Sequence, residues 1–252
     1  MIRGAATLAC ALAWSLSAAA MVGGAQPADD GAGRAAVMLT GSHGTFCSGV
    51  ALARNLVLTA AHCVLPGADY KLIELDAARH PVLKDLATIV RHPEFDVNAV
   101  LRHRVTADVA LLKLAAPLKI VPALLTPPGD STAVGDRFVV AGYGLAVRGD
   151  GKTGGTVRAA TLVATGQPGT LQIRLADPST KGERAGLGAC TGDSGAPVFR
   201  DIGGALAVMG VVSWSTGPGN SEGCGGLTGV TPLARYRGWI VEQAGRMGSP
   251  LP

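Results

Sequence analysis

The sequence predicts an all-β protein, a sandwich or barrel, on three observations. Six short apolar runs of five to nine residues recur along the chain, 36 Gly and 15 Pro punctuate them, and a helical repeat appears only near the C-terminal end. A chain of 252 residues is long enough to bury a real core within one such unit.

Taken in order, the chain opens with Arg3, an apolar run over 5–16 and the small residues Ala18, Ala19 and Ala20. This is the pattern of a secretion signal, residues 1–20, cut after Ala20. The run falls short of the ~20 residues that span a bilayer, so export is expected, to a periplasm or outside the cell, with no membrane attachment after removal. A later cut, after Ala25, is the alternative. Without Arg3 the count is 21 basic against 18 acidic side chains, with no basic run interleaved with aromatics, which excludes an evident nucleic-acid interface. Cys10 leaves with the signal, and Cys47, Cys63, Cys190 and Cys224 remain. An even number in an exported chain points to disulfides, with three connectivities open. A zinc site would need close cysteine pairs or a two-histidine cluster, and neither is present.

The predicted strands are NLVLTA (55–60), DVALLKL (108–114), RFVVAGY (137–143), TLQIRLA (170–176), APVFR (196–200) and LAVMGVVSW (206–214). The Gly-rich, charged RGDGKTGG (148–155) reads as an exposed loop. At the end, Thr231 and Pro232 resemble a helix cap with Pro at the first helical position, and Tyr236, Ile240, Ala244 and Met247 then recur along one helical face.

Three stretches carry reactive side chains. LTAAHC (58–63) places His62 beside Cys63, and TADVALLKL (106–114) places Asp108 at the head of an apolar strand. CTGDSGAPV (190–198) sets Ser194 in a Gly-rich turn, where small neighbours leave backbone N–H groups free to face a ligand. Serine is a poor nucleophile at neutral pH and needs a base near its hydroxyl. That base needs a partner to hold its tautomer and stabilise its positive form, and His62 and Asp108 can fill these roles. His43, His80, His92 and His103 read as surface or loop histidines.

These stretches, with FCSGVALARNLVLTAAHC (46–63), VAGYG (140–144), VSWS (212–215), RYRGWI (235–240) and MVGG (21–24), resemble the trypsin-like, chymotrypsin-family serine proteases over nearly all of the chain after residue 20. The resemblance implies two six-stranded antiparallel β-barrels with a C-terminal helix: barrel one over about 21–125, a break within 118–130, barrel two over about 126–232 and the helix over about 233–247. It implies a triad of His62, Asp108 and Ser194, and an oxyanion hole formed by the N–H groups of Gly192 and Ser194. It pairs Cys47 with Cys63 and Cys190 with Cys224. It makes Met21 an activated N-terminus whose α-ammonium pairs with Asp193, so that signal cleavage itself would activate the enzyme. Two residues depart from the family pattern, Met21 standing for Ile and Ala196 for Gly.

In the same resemblance Gly188, with Ala189 beside it, floors the specificity pocket, and the missing floor carboxylate removes a preference for Arg or Lys. Ser213 and Ser215 would flank the substrate backbone with Trp214 packed beneath it. Ser215 and Thr228 would narrow the slot to small or medium apolar side chains, unless Gly226 takes the wall position and opens it. The expected activity is that of an exported, monomeric serine endopeptidase acting on proteins or peptides through an acyl-enzyme, with a proteinaceous inhibitor as a possible partner and no cofactor or metal. The competing readings are a protease-like binding protein and an esterase, although the chain order is wrong for an α/β-hydrolase.

Overall fold

A computed structural model describes residues 21–252 except 30, 77 and 103. The expected signal segment 1–20, Cys10 and His103 lie outside the described residues.

After a short β1 (Gln26–Pro27), the chain forms β2 (Ala36–Gly41), β3 (Phe46–Ala53), β4 (Leu56–Thr59), β5 (Tyr70–Leu75) and β6 (Pro81–Arg91). A five-residue helix α1 (Val97–Leu101) and β7 (Ala110–Leu114) follow. These strands close an antiparallel barrel in the order β2-β3-β4-β7-β6-β5. Its centre strands are buried on both faces. In β4 and β7, Val57, Ala110 and Leu112 fill the barrel interior, whereas Leu56, Leu58 and Leu111 face the other way, into a core shared with the second barrel. Such two-sided burial explains why NLVLTA and DVALLKL read as apolar runs without alternation.

The second half contributes β8 (Leu124–Leu125), β9 (Arg137–Gly142), β10 (Arg158–Thr165), β11 (Ile173–Ala176), β12 (Pro197–Ile202), β13 (Ala205–Ser215) and β14 (Leu227–Pro232). Pairing of β9 with both β10 and β12 closes a six-stranded antiparallel ring, β9-β10-β11-β14-β13-β12, and β8 runs parallel beside β13. Phe138, Val140, Leu162, Leu175, Val198 and Val230 fill it. Two closed barrels leave few open sheet edges.

Ala123 N–H still donates to Ala51 of the first barrel, and Leu124 and Leu125 already pair with β13.

Two expectations are corrected. Residues 21–28 belong to the second barrel, because Gln26 and Pro27 pair with Ala159 and Arg158, and Val22 bridges to Gly188. The C-terminal helix α2 spans Arg237–Arg246 and starts after Tyr236. Thr231 and Pro232 finish β14, opposite Val211 and Gly210, because the ladder claims their backbone before a helix can begin. The face of Tyr236, Ile240 and Ala244 is buried against the shared core, with Met247 packed at its edge.

His43 and His80 are exposed, as expected. His92 is different: half-buried, it packs edge-on against Tyr236 and Trp239, each at 4.9 Å, and so joins the first barrel to α2. The 148–155 segment is largely exposed, with one short turn of 3₁₀ helix at Gly151–Thr153.

Candidate active site

His62 lies in a 3₁₀ turn, Ala61–Val64, immediately after β4. The Cys47–Cys63 disulfide ties that turn back to β3. Asp108 precedes β7, where bonds from Asp108 N–H to Thr106 and from Val109 N–H to Ala107 hold the chain in two tight turns. β4 and β7 are neighbours, so the two residues meet. Asp108 Oδ1 accepts from the His62 backbone N–H at 2.9 Å, and Oδ2 lies 2.7 Å from Nδ1 of the ring. Ser213 donates its hydroxyl to Oδ2 at 2.5 Å from the second barrel. Its side chain therefore faces Asp108.

Asp108 is 1% exposed. Burial pushes its pKa up, but the hydrogen bonds and charge of His62 and the Ser213 hydroxyl outweigh that and hold it below the ordinary value. An ionised carboxylate only accepts, so Nδ1 is the donor of this pair, and in the neutral ring Nε2 is then the nitrogen without a proton.

Ser194 sits in a compact loop ahead of β12. Asp193 N–H donates to Cys190, Ala196 N–H to Asp193 and Gly195 N–H to Val212. The N–H groups of Gly192 and Ser194, between these bonded neighbours, donate to no acceptor among the described residues. Gly192 has φ +94°, and a Cβ there would come within 2.7 Å of Phe46. Gly195 has φ +78°, and a Cβ would fall 2.1 Å from the Thr59 hydroxyl. The loop thus fits its place only as glycine. The methyl of Ala196 is accommodated: the residue is fully buried, and a side chain at Gly142 would come within 3.2 Å of it.

The Ser194 carbonyl accepts from Ser48 N–H at 2.8 Å, which brings the loop beside the Cys47–Cys63 bridge and its neighbour His62. No hydrogen bond joins the half-buried Ser194 hydroxyl to His62 in this structure. In free enzymes such bonds are commonly long and tighten when substrate arrives.

Asp193 is fully buried and accepts from Cys190 N–H and Gly144 N–H, each at 2.9 Å. Burial pushes its pKa up to about 7 despite these two bonds. Glycines at 142 and 144 make room for it, since a Cβ at either would fall within 2.5 Å of the carboxylate. Met21 is also fully buried, in the apolar cluster that holds Ala189 and Ala196, with φ +46°.

Gly188 and Ala189 are buried, and a Cβ on Gly188 would lie 3.1 Å from Gly225. Thr228 pairs opposite Ser215 across β13 and β14, and its hydroxyl accepts from Ala189 N–H at 3.0 Å. Gly226 backs onto Gly217, where a Cβ would meet the carbonyl at 2.0 Å. Trp214 lies against Gly229, where a Cβ would sit 2.0 Å from the indole. The Cys190–Cys224 disulfide joins the two sides of this slot. A groove of about 570 Å³ opens alongside, bounded by Trp214, Ser215, Thr216 and Arg174. The more apolar groove by Leu124, Ile202 and Pro252, about 390 Å³, holds none of the expected site residues.

Sequence reasoning missed Ser48, Gly142 and Gly144. Two glycines spaced by one residue in VAGYG are a signal of close backbone approach. A serine within β3 gives no such signal.

A family model described as Trypsin matches residues 22–240. Coagulation factor IX of Cavia porcellus is 27% identical over 231 residues, covering 81% of this chain and 74% of that protein. The vitellin-degrading protease of Bombyx mori is 29% identical over 223 residues, covering 82% and 78%. No helix among the described residues is long and apolar enough to cross a membrane, and the two disulfides fit an oxidising compartment. Two antiparallel barrels, a buried carboxylate behind an imidazole at their junction and this match across most of the chain lead to one conclusion: the chain belongs to the trypsin family and is a serine endopeptidase.

Proposed function

We propose that the enzyme cuts peptide bonds through a Ser194 acyl-enzyme, with His62 as base and Asp108 as its partner. The observation that carries this reading is the Asp108 carboxylate at 2.7 Å from Nδ1 of His62, which leaves Nε2 able to take a proton. The Ser194 hydroxyl oxygen bonds to the scissile carbonyl carbon as its proton passes to His62 Nε2. The carbonyl oxygen, now negative, is met by the free N–H groups of Gly192 and Ser194. The leaving amine takes the proton from His62, and water then repeats the sequence to release the acid.

The P1 preference is for small or medium apolar side chains. Supporting this, Gly188 offers no charge, and the position opposite Ser215 is occupied by Thr228, bonded to Ala189. Substrate residues upstream of the bond lie along Trp214 to Thr216.

Activation follows from a cut after Ala20 during export. Met21 is buried in the apolar cluster that holds Ala189 and Ala196, on either side of Asp193, whose carboxyl has no cationic partner among the described residues until an α-ammonium is made. The left-handed φ of Met21 costs a non-glycine residue ~1–2 kcal/mol. A chain that begins at Met21 has no such torsion to strain.

Hydrolysis of peptide substrates varied at P1, together with fluorophosphonate labelling, tests the reading. Ser194→Ala or His62→Ala is expected to lower kcat by several orders of magnitude with folding intact. Near-normal turnover by either variant would remove the triad assignment, and a folded wild-type chain that neither labels nor cuts would favour a binding protein.

A further inference from the structure

Ser48 is a fully buried polar residue in β3, a strand of the first barrel. A buried hydroxyl must be bonded, and both bonds of this one go to the second barrel. It donates to the Gly192 carbonyl at 2.9 Å and accepts from Tyr143 N–H at 3.0 Å. Its backbone N–H donates to the Ser194 carbonyl at 2.8 Å. One residue therefore grips the chain on both sides of Asp193, through the carbonyls of the two residues whose N–H groups are free. Its own carbonyl is held by the Thr59 hydroxyl at 2.7 Å, so the grip is itself braced within the first barrel.

Gly192 has little torsional preference of its own. The direction of its N–H is set by what holds the peptides on either side. Asp193 holds the loop from within the second barrel, through Cys190 and Gly144. Ser48 holds it from across the cleft.

We propose that Ser48 is a positioning residue for the oxyanion site: its hydroxyl fixes the Gly192–Asp193 peptide so that the Gly192 N–H meets the transition-state oxygen. This rests on the acyl-enzyme reading above. Ser48 touches no substrate; it acts through Gly192. The loop is thereby supported by the first barrel as well as by the Asp193 pairing, and the oxyanion donors are aligned only when the barrels are docked.

The test measures kcat and KM for Ser48→Ala, and the affinities of a peptidyl boronate, which forms a tetrahedral adduct on serine, and of the matching product acid. Removing the hydroxyl is expected to lower kcat by about 10- to 100-fold, below the ~100- to 1000-fold loss on removing an oxyanion donor itself. KM and product-acid affinity should stay within about twofold, and boronate affinity should fall with kcat/KM. Should Ser48→Ala fail to fold, the near-isosteric pair Ser48→Thr and Ser48→Val decides, because only the former keeps a hydroxyl and should retain more kcat. Unchanged kcat, unmoved boronate affinity, or equal loss in the Thr and Val variants would overturn the assignment. Wild-type turnover and boronate binding are measured first: their absence defeats the acyl-enzyme reading, whereas their presence with an unresponsive Ser48→Ala defeats only the role of Ser48.

Discussion

In the proposed specificity slot the wall is Thr228, a threonine with no exposed surface whose hydroxyl accepts from the Ala189 N–H. Thr228→Gly removes that wall. The expected outcome is a shift in kcat/KM of about 10-fold or more toward P1 Leu or Phe over Ala, in line with the 10- to 200-fold that one methylene is worth. A P1 series on the two proteins measures it, and an unchanged ratio would place the wall elsewhere. Single residues differ sharply in how legible they are. His62, Asp108 and Ser194 stand out because a polar or nucleophilic side chain interrupts apolar or Gly-rich surroundings. Ser48 does not, since its partner Gly192 is 144 positions away and a small residue in a strand reads as filler.

Elements were legible where burial coincides with a run of large β-branched or leucine side chains. β4, β7, β9 and β13 are rich in Val and Leu and were predicted close to their observed limits. β3 and β6 were not. Half of the first is Ser, Gly and Ala, which carry little strand preference, and the second leaves all of its residues exposed or half-exposed without alternation. The docking face of α2 was legible from its spacing, but its start was not, because a Thr-Pro pair that resembles a cap is held by a neighbouring strand. Ile240, fully buried on that face, gives a test at this scale. Ile240→Ala is expected to cost about 2 to 5 kcal/mol in urea unfolding while the folded fraction keeps its turnover per labelled site. A loss below about 1 kcal/mol would mean that α2 contributes little to holding the barrels.

For the molecule as a whole, the proposed activation pairing makes Asp193 couple the N-terminus to stability. In a chain extended beyond Met21 its carboxyl, raised by burial from 3.8 to about 7, binds a proton more readily folded than unfolded. Stability then falls as pH rises through that window, by on the order of 4 kcal/mol in all. A chain that starts at Met21 supplies an ammonium and should lack this fall. Unfolding at a series of pH values, with intact mass fixing each N-terminus, separates the two, and identical profiles would contradict the pairing. The two barrels each complete their own hydrogen-bonded ring, so what crosses between them is the shared apolar core and a few polar bonds, among them Ser213 to Asp108 and Ser48 to the Ser194 loop. On the proposed triad, parting the barrels slightly would therefore take Ser194 away from His62 before a single strand was lost. Titration of Ser194 with an active-site reagent counts docked molecules, and on heating or in mild denaturant that count should drop ahead of any signal that counts folded strands.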